Sequence, residues 1–345
     1  MNIALTRRLL SRWTVSVGIA AMTATLMACG GDDGTAPVAV VAPPALLVGN
    51  TRGANVVMID RQTGAYIKDF IAAGSGGLVD PDDLTFGPDG NLYVSSGTNT
   101  GGQILRYNGT TGAFIGVFAQ GNGLMRPYGN AFGPDGNLYV ASFRSDKILK
   151  FNGTTGAFMS VFAQGNGTAA GLLNGPNDLL FGADGKLYVT TQGSVADMVG
   201  GISYKFDSEV LRYNLATGTG EVFAPMPKVS TGGGGYVSLL GLIFGPDGLL
   251  YTSDYAGGIR SYDTTTKALR QTIDTGKVFG GTVATNVGAL AFGTDGSLYA
   301  PVFNANSTGV LANGVIRCAV VTASCALLAT TTTNLVRPIG IANAR

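Results

Sequence analysis

The 345-residue chain contains no His at all. That removes His general bases, Ser-His-Asp triads, His-ligated zinc and His-ligated haem together. Glutamate is nearly absent too, with Glu209 and Glu221 the only two. Charged residues make up 12%, about half of ordinary usage, and the net charge is +1. Neither a basic nucleic-acid footprint nor a polybasic membrane surface follows from such a balance. Trp occurs once, at Trp13, and Cys three times. No apolar run is long enough to read as a spanning helix. What is plentiful is glycine, 54 residues, more than twice average usage. The hydrophobic fraction of 45% leaves ample material for a core.

The first 44 residues read as address and tether. Arg7, Arg8 and Arg12 precede an apolar, acid-free stretch from Val15 to Ala28, the pattern of a secretory signal. Leu26-Met27-Ala28-Cys29-Gly30 resembles a bacterial lipobox, which implies cleavage after residue 28 and lipid attachment to Cys29. Gly rather than Asp after Cys29 implies outer-membrane sorting, and multiple acyl chains would anchor the chain stably. Residues 29–44 read as a flexible tether, because after Cys29 the stretch Gly30–Pro44 holds only Gly, Asp, Thr, Pro, Ala and Val without periodicity. The remainder, residues 45–345, has neither His nor Trp.

That remainder is a repeat. Leu84-Thr-Phe-Gly-Pro-Asp-Gly-Asn-Leu-Tyr-Val94 returns from Asn130, Leu179, Leu242 and Leu290, with its Phe at 86, 132, 181, 244 and 292. A period of 40–50 residues points to a propeller or solenoid. In Gly-Pro-Asp-Gly, Pro presets the first corner, Asp suits the second and Gly takes the left-handed position. A short apolar run leads in and Leu-Tyr-Val leads out, so each phrase predicts a β-hairpin. A second hairpin follows: Ile104-Leu-Arg-Tyr-Asn-Gly-Thr-Thr-Gly-Ala-Phe114 matches Ile148 to Phe158. Two hairpins make a four-stranded blade.

The ends complete the count. Leu46-Leu-Val48 and the hairpin around Val57 to Tyr66 supply three strands without a leading phrase, and Arg337-Pro-Ile-Gly-Ile-Ala-Asn343 resembles Arg126-Pro-Tyr-Gly-Asn-Ala-Phe132. One C-terminal strand from residues 337–343 and these three N-terminal strands would close a sixth blade and leave no exposed sheet edge in the ring. The expected fold is therefore all-β, a six-bladed propeller over residues 45–345. Here the sequence resembles the NHL-repeat proteins and the gluconolactonase-like (senescence-marker-protein) six-bladed propellers. The shared phrase is specific for the fold group and builds a turn, so it carries no activity by itself.

Cys318 and Cys325 fall where the second hairpins of other blades place aromatics: Tyr107 and Phe151 for the first, Phe114 and Phe158 for the second. These partners face each other across strands. The pair reads as a disulfide in an oxidising envelope compartment.

In propellers, ligands bind where the innermost strands begin. The positions four and three before each Phe are Asp82-Asp83, Tyr128-Gly129, Asn177-Asp178, Leu240-Gly241 and Gly288-Ala289, with Ile339-Gly340 in the closing blade. Pro176-Asn177-Asp178 resembles the Pro-Asn-Asp segment of gluconolactonase-like enzymes, which implies Asn177 at a metal and substrate site. Asp82, Asp83, Asn130, Asn177 and Asp178 together form an oxygen-rich set able to hold Ca²⁺. The resemblance also implies a Glu from the first inner strand and ligands from later blades, where this chain has Ile339, Gly340, Leu240, Gly241, Gly288 and Ala289. The competing expectation is that Asp82, Asp83 and Asp178 bond local backbone amides. Propellers similar to paraoxonase and streptogramin lyase depend on His, which is missing.

One step of the repeat, from Phe181 to Phe244, is about 15 residues longer than its neighbours; the extra length lies around Ser194–Asp207 and Ser230–Tyr236. Long loops on a rigid scaffold concentrate binding residues. Two functions stay open at this point. One is a lipid-anchored cell-envelope binding module, monomeric, for a protein, glycan or small ligand, without nucleic acid. The other is a divergent Ca²⁺-dependent lactonase or esterase, whose catalytic residues the sequence does not single out.

Overall fold

The computed structural model describes residues 44–168, 172–196, 201–225, 239–256, 258–279, 286–303, 313–328 and 335–345. The expected signal segment, nearly all of the tether, Cys29 and the Gly-rich stretch 230–236 lie outside the described residues. All that follows concerns the unit Pro43–Arg345.

Six antiparallel blades form a β-propeller. Blade 1 runs from inside to outside as Pro338–Asn343, Ala45–Asn50, Asn55–Asp60 and Tyr66–Ile71, so strands from both ends of the unit close the ring, with Leu47 opposite Ala342. Blades 2 to 5 each run outward in chain order, starting on Asp83–Phe86, Pro127–Phe132, Pro176–Phe181 and Leu239–Phe244. Blade 6 has an interrupted inner strand: Asn286–Val287 and Ala291–Phe292 both pair with Leu298–Phe303.

The repeated phrase explains both the hairpins and the seams. Gly90 N donates to Gly87 O at 3.0 Å, and Gly90 has φ +79°, a conformation that glycine adopts without steric cost. The turn Asp does a second job. Tyr93 Oη donates to Asp89 Oδ2 at 3.1 Å, and the same Tyr-to-Asp bond recurs from Tyr139, Tyr188, Tyr251 and Tyr299. The first four Tyr rings then meet the phrase Phe of the next blade edge-on: Tyr93 with Phe132 at 4.9 Å, Tyr139 with Phe181 at 5.2 Å, Tyr188 with Phe244 at 5.3 Å and Tyr251 with Phe292 at 5.2 Å. Such pairs add about 0.5–1.5 kcal/mol each beyond area burial. The core is correspondingly divided into six clusters, one at each seam between adjoining blades.

The disulfide is present, joining Cys318 and Cys325 across the two outer strands of blade 6 with Cα atoms 4.0 Å apart. It stands where Tyr107 and Phe114 pair in blade 2, rings 5.5 Å apart, and Phe151 and Phe158 in blade 3, at 5.8 Å. Among the described residues no helix is long and apolar enough to cross a membrane.

Candidate functional site: the cavity at the channel mouth

A cavity of about 290 Å³ opens where the inner strands begin. Its walls follow the repeat. The position four before the phrase Phe supplies Asp82, Tyr128, Asn177 and Leu240, and Ile339 fills the same place in blade 1. The following position supplies Asp83, Gly129, Asp178 and Ala289. A further tier comes from the third residue after each Leu-Tyr-Val or its variant: Phe143, Gln192, Tyr255 and Phe303. This last tier was not singled out from the sequence. The signal was there, because those residues sit at one repeat position, but position after a strand shows its meaning only once the blades are in a ring.

Asp83 and Asp178 hold the ring together at this level. Leu84 N donates to Asp83 Oδ1 at 2.8 Å, and Asn130 N of blade 3 donates to Asp83 Oδ2 at 2.7 Å. Leu179 N donates to Asp178 Oδ1 at 2.8 Å, and Leu242 N of blade 5 to Asp178 Oδ2 at 3.0 Å. Between the two aspartates lies Gly129, whose missing Cβ would stand 2.7 Å from the Asp178 Cα. Gly340 and Gly241 are equally confined, against Asp82 O at 3.0 Å and Ala289 Cα at 2.8 Å. Around the ring this position therefore reads Gly340, Asp83, Gly129, Asp178, Gly241, Ala289. The small residues that look like missing ligands are what allow neighbouring inner strands to approach.

Asn130 lies beside this network rather than in the cavity wall. It is buried, and its Nδ2 donates to Asp83 Oδ2 and to Ser95 Oγ, both at 3.0 Å. Asn177 is buried and does line the cavity.

Asp82 differs from its neighbours. It is 5% exposed, and neither carboxylate oxygen has a hydrogen-bond partner. Burial pushes its carboxyl up to about 7, against the opposing pull of Arg126 and Arg337. Burial also raises Asp83 to about 6, and raises Asp178 well above the usual carboxylate range with help from the Asp83 charge. Of the two arginines, Arg126 is engaged: its Nε donates to Tyr128 Oη at 2.9 Å and its Nη1 to Asn99 Oδ1 at 3.1 Å. Arg337 lines the cavity, with a buried Nε that has no partner and its guanidinium 5.8 Å from the Phe303 ring centroid. Arg126 and Arg337 each precede the inner-strand Pro and have φ of +47° and +57°. Asp80 and Gly175 hold the same place and the same left-handed conformation in blades 2 and 4.

The longer step between Phe181 and Phe244 contributes a two-stranded hairpin, Ser194–Ala196 paired with Ile202–Tyr204, which adds Ile202 and Tyr204 to the cavity lining. Blade 3 fixes it in place. Asp146 Oδ2 accepts from Ala196 N at 3.1 Å while its Oδ1 accepts from Gly175 N at 2.8 Å. Arg144 Nη1 donates to Gly201 O at 2.9 Å.

The calcium set expected from the resemblance does not fit this arrangement. Asp83 and Asp178 have both oxygens turned to backbone amides, and Asn130 is tied to Asp83 and Ser95. Among the described residues no group of three or more His, Cys, Asp or Glu side chains converges as a metal site. The expectation that acids bond local amides describes Asp83 and Asp178, but not Asp82.

No protein-family model matches the chain, and no curated protein matches it. Solved structures do. A chain of a nidogen/laminin complex superposes with a TM-score of 0.61 at 14% identity, over 88% of this chain and 98% of that one. A streptogramin B lyase gives 0.53 at 16% identity, over 87% and 86%. A candidate gluconolactonase gives 0.51 at 16% identity, over 69% and 73%. The shared feature is the fold. The neighbours range from a chain of a nidogen/laminin complex to proteins named for enzymes, and such low identities transfer the propeller alone.

Proposed function

We propose that the chain is a lipid-anchored propeller of the bacterial cell envelope that binds a small, mainly apolar ligand at its channel mouth, without chemistry of its own. The observation that carries this reading is the cavity itself: about 290 Å³, at the small end of the ligand-pocket range, walled by Tyr128, Phe143, Tyr204, Tyr255 and Phe303 around a small polar floor. Pockets of this kind, apolar with a few convergent polar groups, are the usual form of small-molecule sites. Support for a binding rather than hydrolytic role comes from the missing His, the engaged oxygens of Asp83 and Asp178, and the lack of a converging metal set among the described residues. The anchor rests on the lipobox-like residues 26–30 and the tether behind them.

Titration with N-phenyl-1-naphthylamine, a neutral fluorescent probe, tests the cavity. The expected result is a saturable, one-to-one fluorescence gain that Leu240→Trp, which fills the wall, reduces at least tenfold. A gain that the variant leaves unchanged would place the probe elsewhere and defeat the reading. The anchor has a separate test. Cys29→Ala should move the chain from the membrane fraction to the soluble envelope fraction and abolish labelling by radioactive palmitate.

A further inference from the structure

A carboxyl and a guanidinium face this cavity with no hydrogen bond or ion pair to each other or to any other described residue. Asp82 immediately precedes the inner strand of blade 2, with both carboxylate oxygens buried and unpartnered. Arg337 stands just before the inner strand of the adjoining blade 1, with a buried, unpartnered Nε and no hydrogen bond or ion pair from its guanidinium among the described residues. Burying an uncompensated polar group costs free energy. An enclosed carboxyl and guanidinium on neighbouring blades, not in contact, therefore leave two recognition groups available to whatever enters.

Resting on the small-ligand reading above, we infer that the cavity takes a zwitterion with an apolar body, a free α-amino acid with an aromatic or branched side chain. The ligand ammonium would donate to Asp82 and the ligand carboxylate would accept from Arg337. The apolar body would lie against the ring of aromatics, Phe143, Tyr255 and Phe303 among them. The other acids of the floor do not compete for the ammonium as well, because Asp83 and Asp178 already accept backbone N–H bonds. Arg126 does not compete for the carboxylate, because Tyr128, Asn99 and Asp80 hold it. Charge-assisted bonds in a desolvated site are the stronger class, and a site built for a polar group discriminates sharply against the analogue that lacks it.

The test is calorimetric titration of the purified full chain with four probes that share a phenyl body: L-phenylalanine, 3-phenylpropanoate, phenethylamine and neutral 3-phenylpropan-1-ol. The expected result is that L-phenylalanine binds at least tenfold more tightly than each of the other three. Asp82→Asn should erase its advantage over 3-phenylpropanoate, and Arg337→Gln its advantage over phenethylamine. Melting temperatures of the same samples report that each variant is folded, and Arg337→Lys, which keeps the charge, should restore part of the loss. If the neutral alcohol binds as tightly as L-phenylalanine, or if either variant leaves the preference intact, the zwitterion assignment is overturned while the apolar cavity stands. If none of the four binds and N-phenyl-1-naphthylamine also fails, the small-ligand reading falls first.

Discussion

Asp83 and Asp178 stand two blades apart and use their oxygens in the same way. In each, Oδ1 accepts from the next amide of its own strand at 2.8 Å, and Oδ2 accepts from the equivalent amide of the adjoining blade, Asn130 N at 2.7 Å or Leu242 N at 3.0 Å. Each side chain is thus a latch across a seam. Asp178→Ala orphans two amides and should lower unfolding stability by about 1–3 kcal/mol. Asp178→Asn, which keeps one acceptor, should lose less. Urea unfolding checks both, and an Ala variant as stable as the parent would refute the latch.

Gly129→Ala should be costly although glycine there has no special backbone angle. Its Cβ would stand 2.7 Å from the Asp178 Cα, so a backbone rather than a mobile side chain must yield. A loss of about 1–3 kcal/mol is expected. Gly116→Ala, on an outer strand with open space around it, is the control and should be nearly neutral in the same melting experiment.

Asp82 predicts an inverted pH dependence. Its folded value, about 7, lies above the ordinary 3.8, so the folded state keeps a proton that the unfolded chain releases. Its contribution to stability is therefore full below about pH 4, fades as pH rises to about 7, and stays low above that. The groups that set this value are Arg126, Arg337, Asp80 and Asp83. Asp82→Asn removes the dependence. Its melting temperature relative to the parent should rise from pH 5 to pH 8 by a few degrees, the equivalent of roughly 1–3 kcal/mol. A constant difference across that range would contradict the assignment.

Asp146 touches no ligand, yet it should matter to binding. It holds the inserted hairpin through Ala196 N and the inner-strand approach through Gly175 N. Asp146→Ala should free Ile202 and Tyr204 from the cavity lining and speed dissociation of N-phenyl-1-naphthylamine several-fold. Stopped-flow displacement measures the rate. An unchanged rate would mean that the hairpin adds nothing to the site.

Breaking the disulfide by Cys318→Ala with Cys325→Ala should cost about 2 kcal/mol, the loop-entropy value for so short a span. Because blade 3 makes the same cross-strand contact with Phe151 and Phe158, Cys318→Phe with Cys325→Phe should recover part of that loss. Thermal melts of the three proteins decide it.

The fold was legible because the phrase is spelled out five times, and because the unpaired strand around Pro338 and the three strands after Ala45 complement each other. The site was half legible. Counting back from each Phe finds Asp82, Asp83, Asn177 and Asp178, since strand registers repeat. Their roles were not, because a carboxylate reads the same in sequence whether it meets amides, as Asp83 does, or nothing, as Asp82 does. Asn130 was grouped with the channel oxygens on composition, yet its amide faces Asp83 and Ser95. Phe143, Tyr255 and Phe303 escaped notice because aromatics at a strand end look like core until the ring curves them toward a common centre.

Closure of blade 1 has a kinetic side. Thr51 and Arg337, joined by a hydrogen bond, are 286 residues apart in the chain, and loop closure over such a span comes late in folding. Arg337 and Ile339, on the closing segment, also form part of the cavity wall. The pocket is thus assembled by the same event that seals the ring. A chain stalled short of that event would carry five blades' worth of native hairpins and no competent site, so ligand occupancy would report completed folding rather than mere compactness.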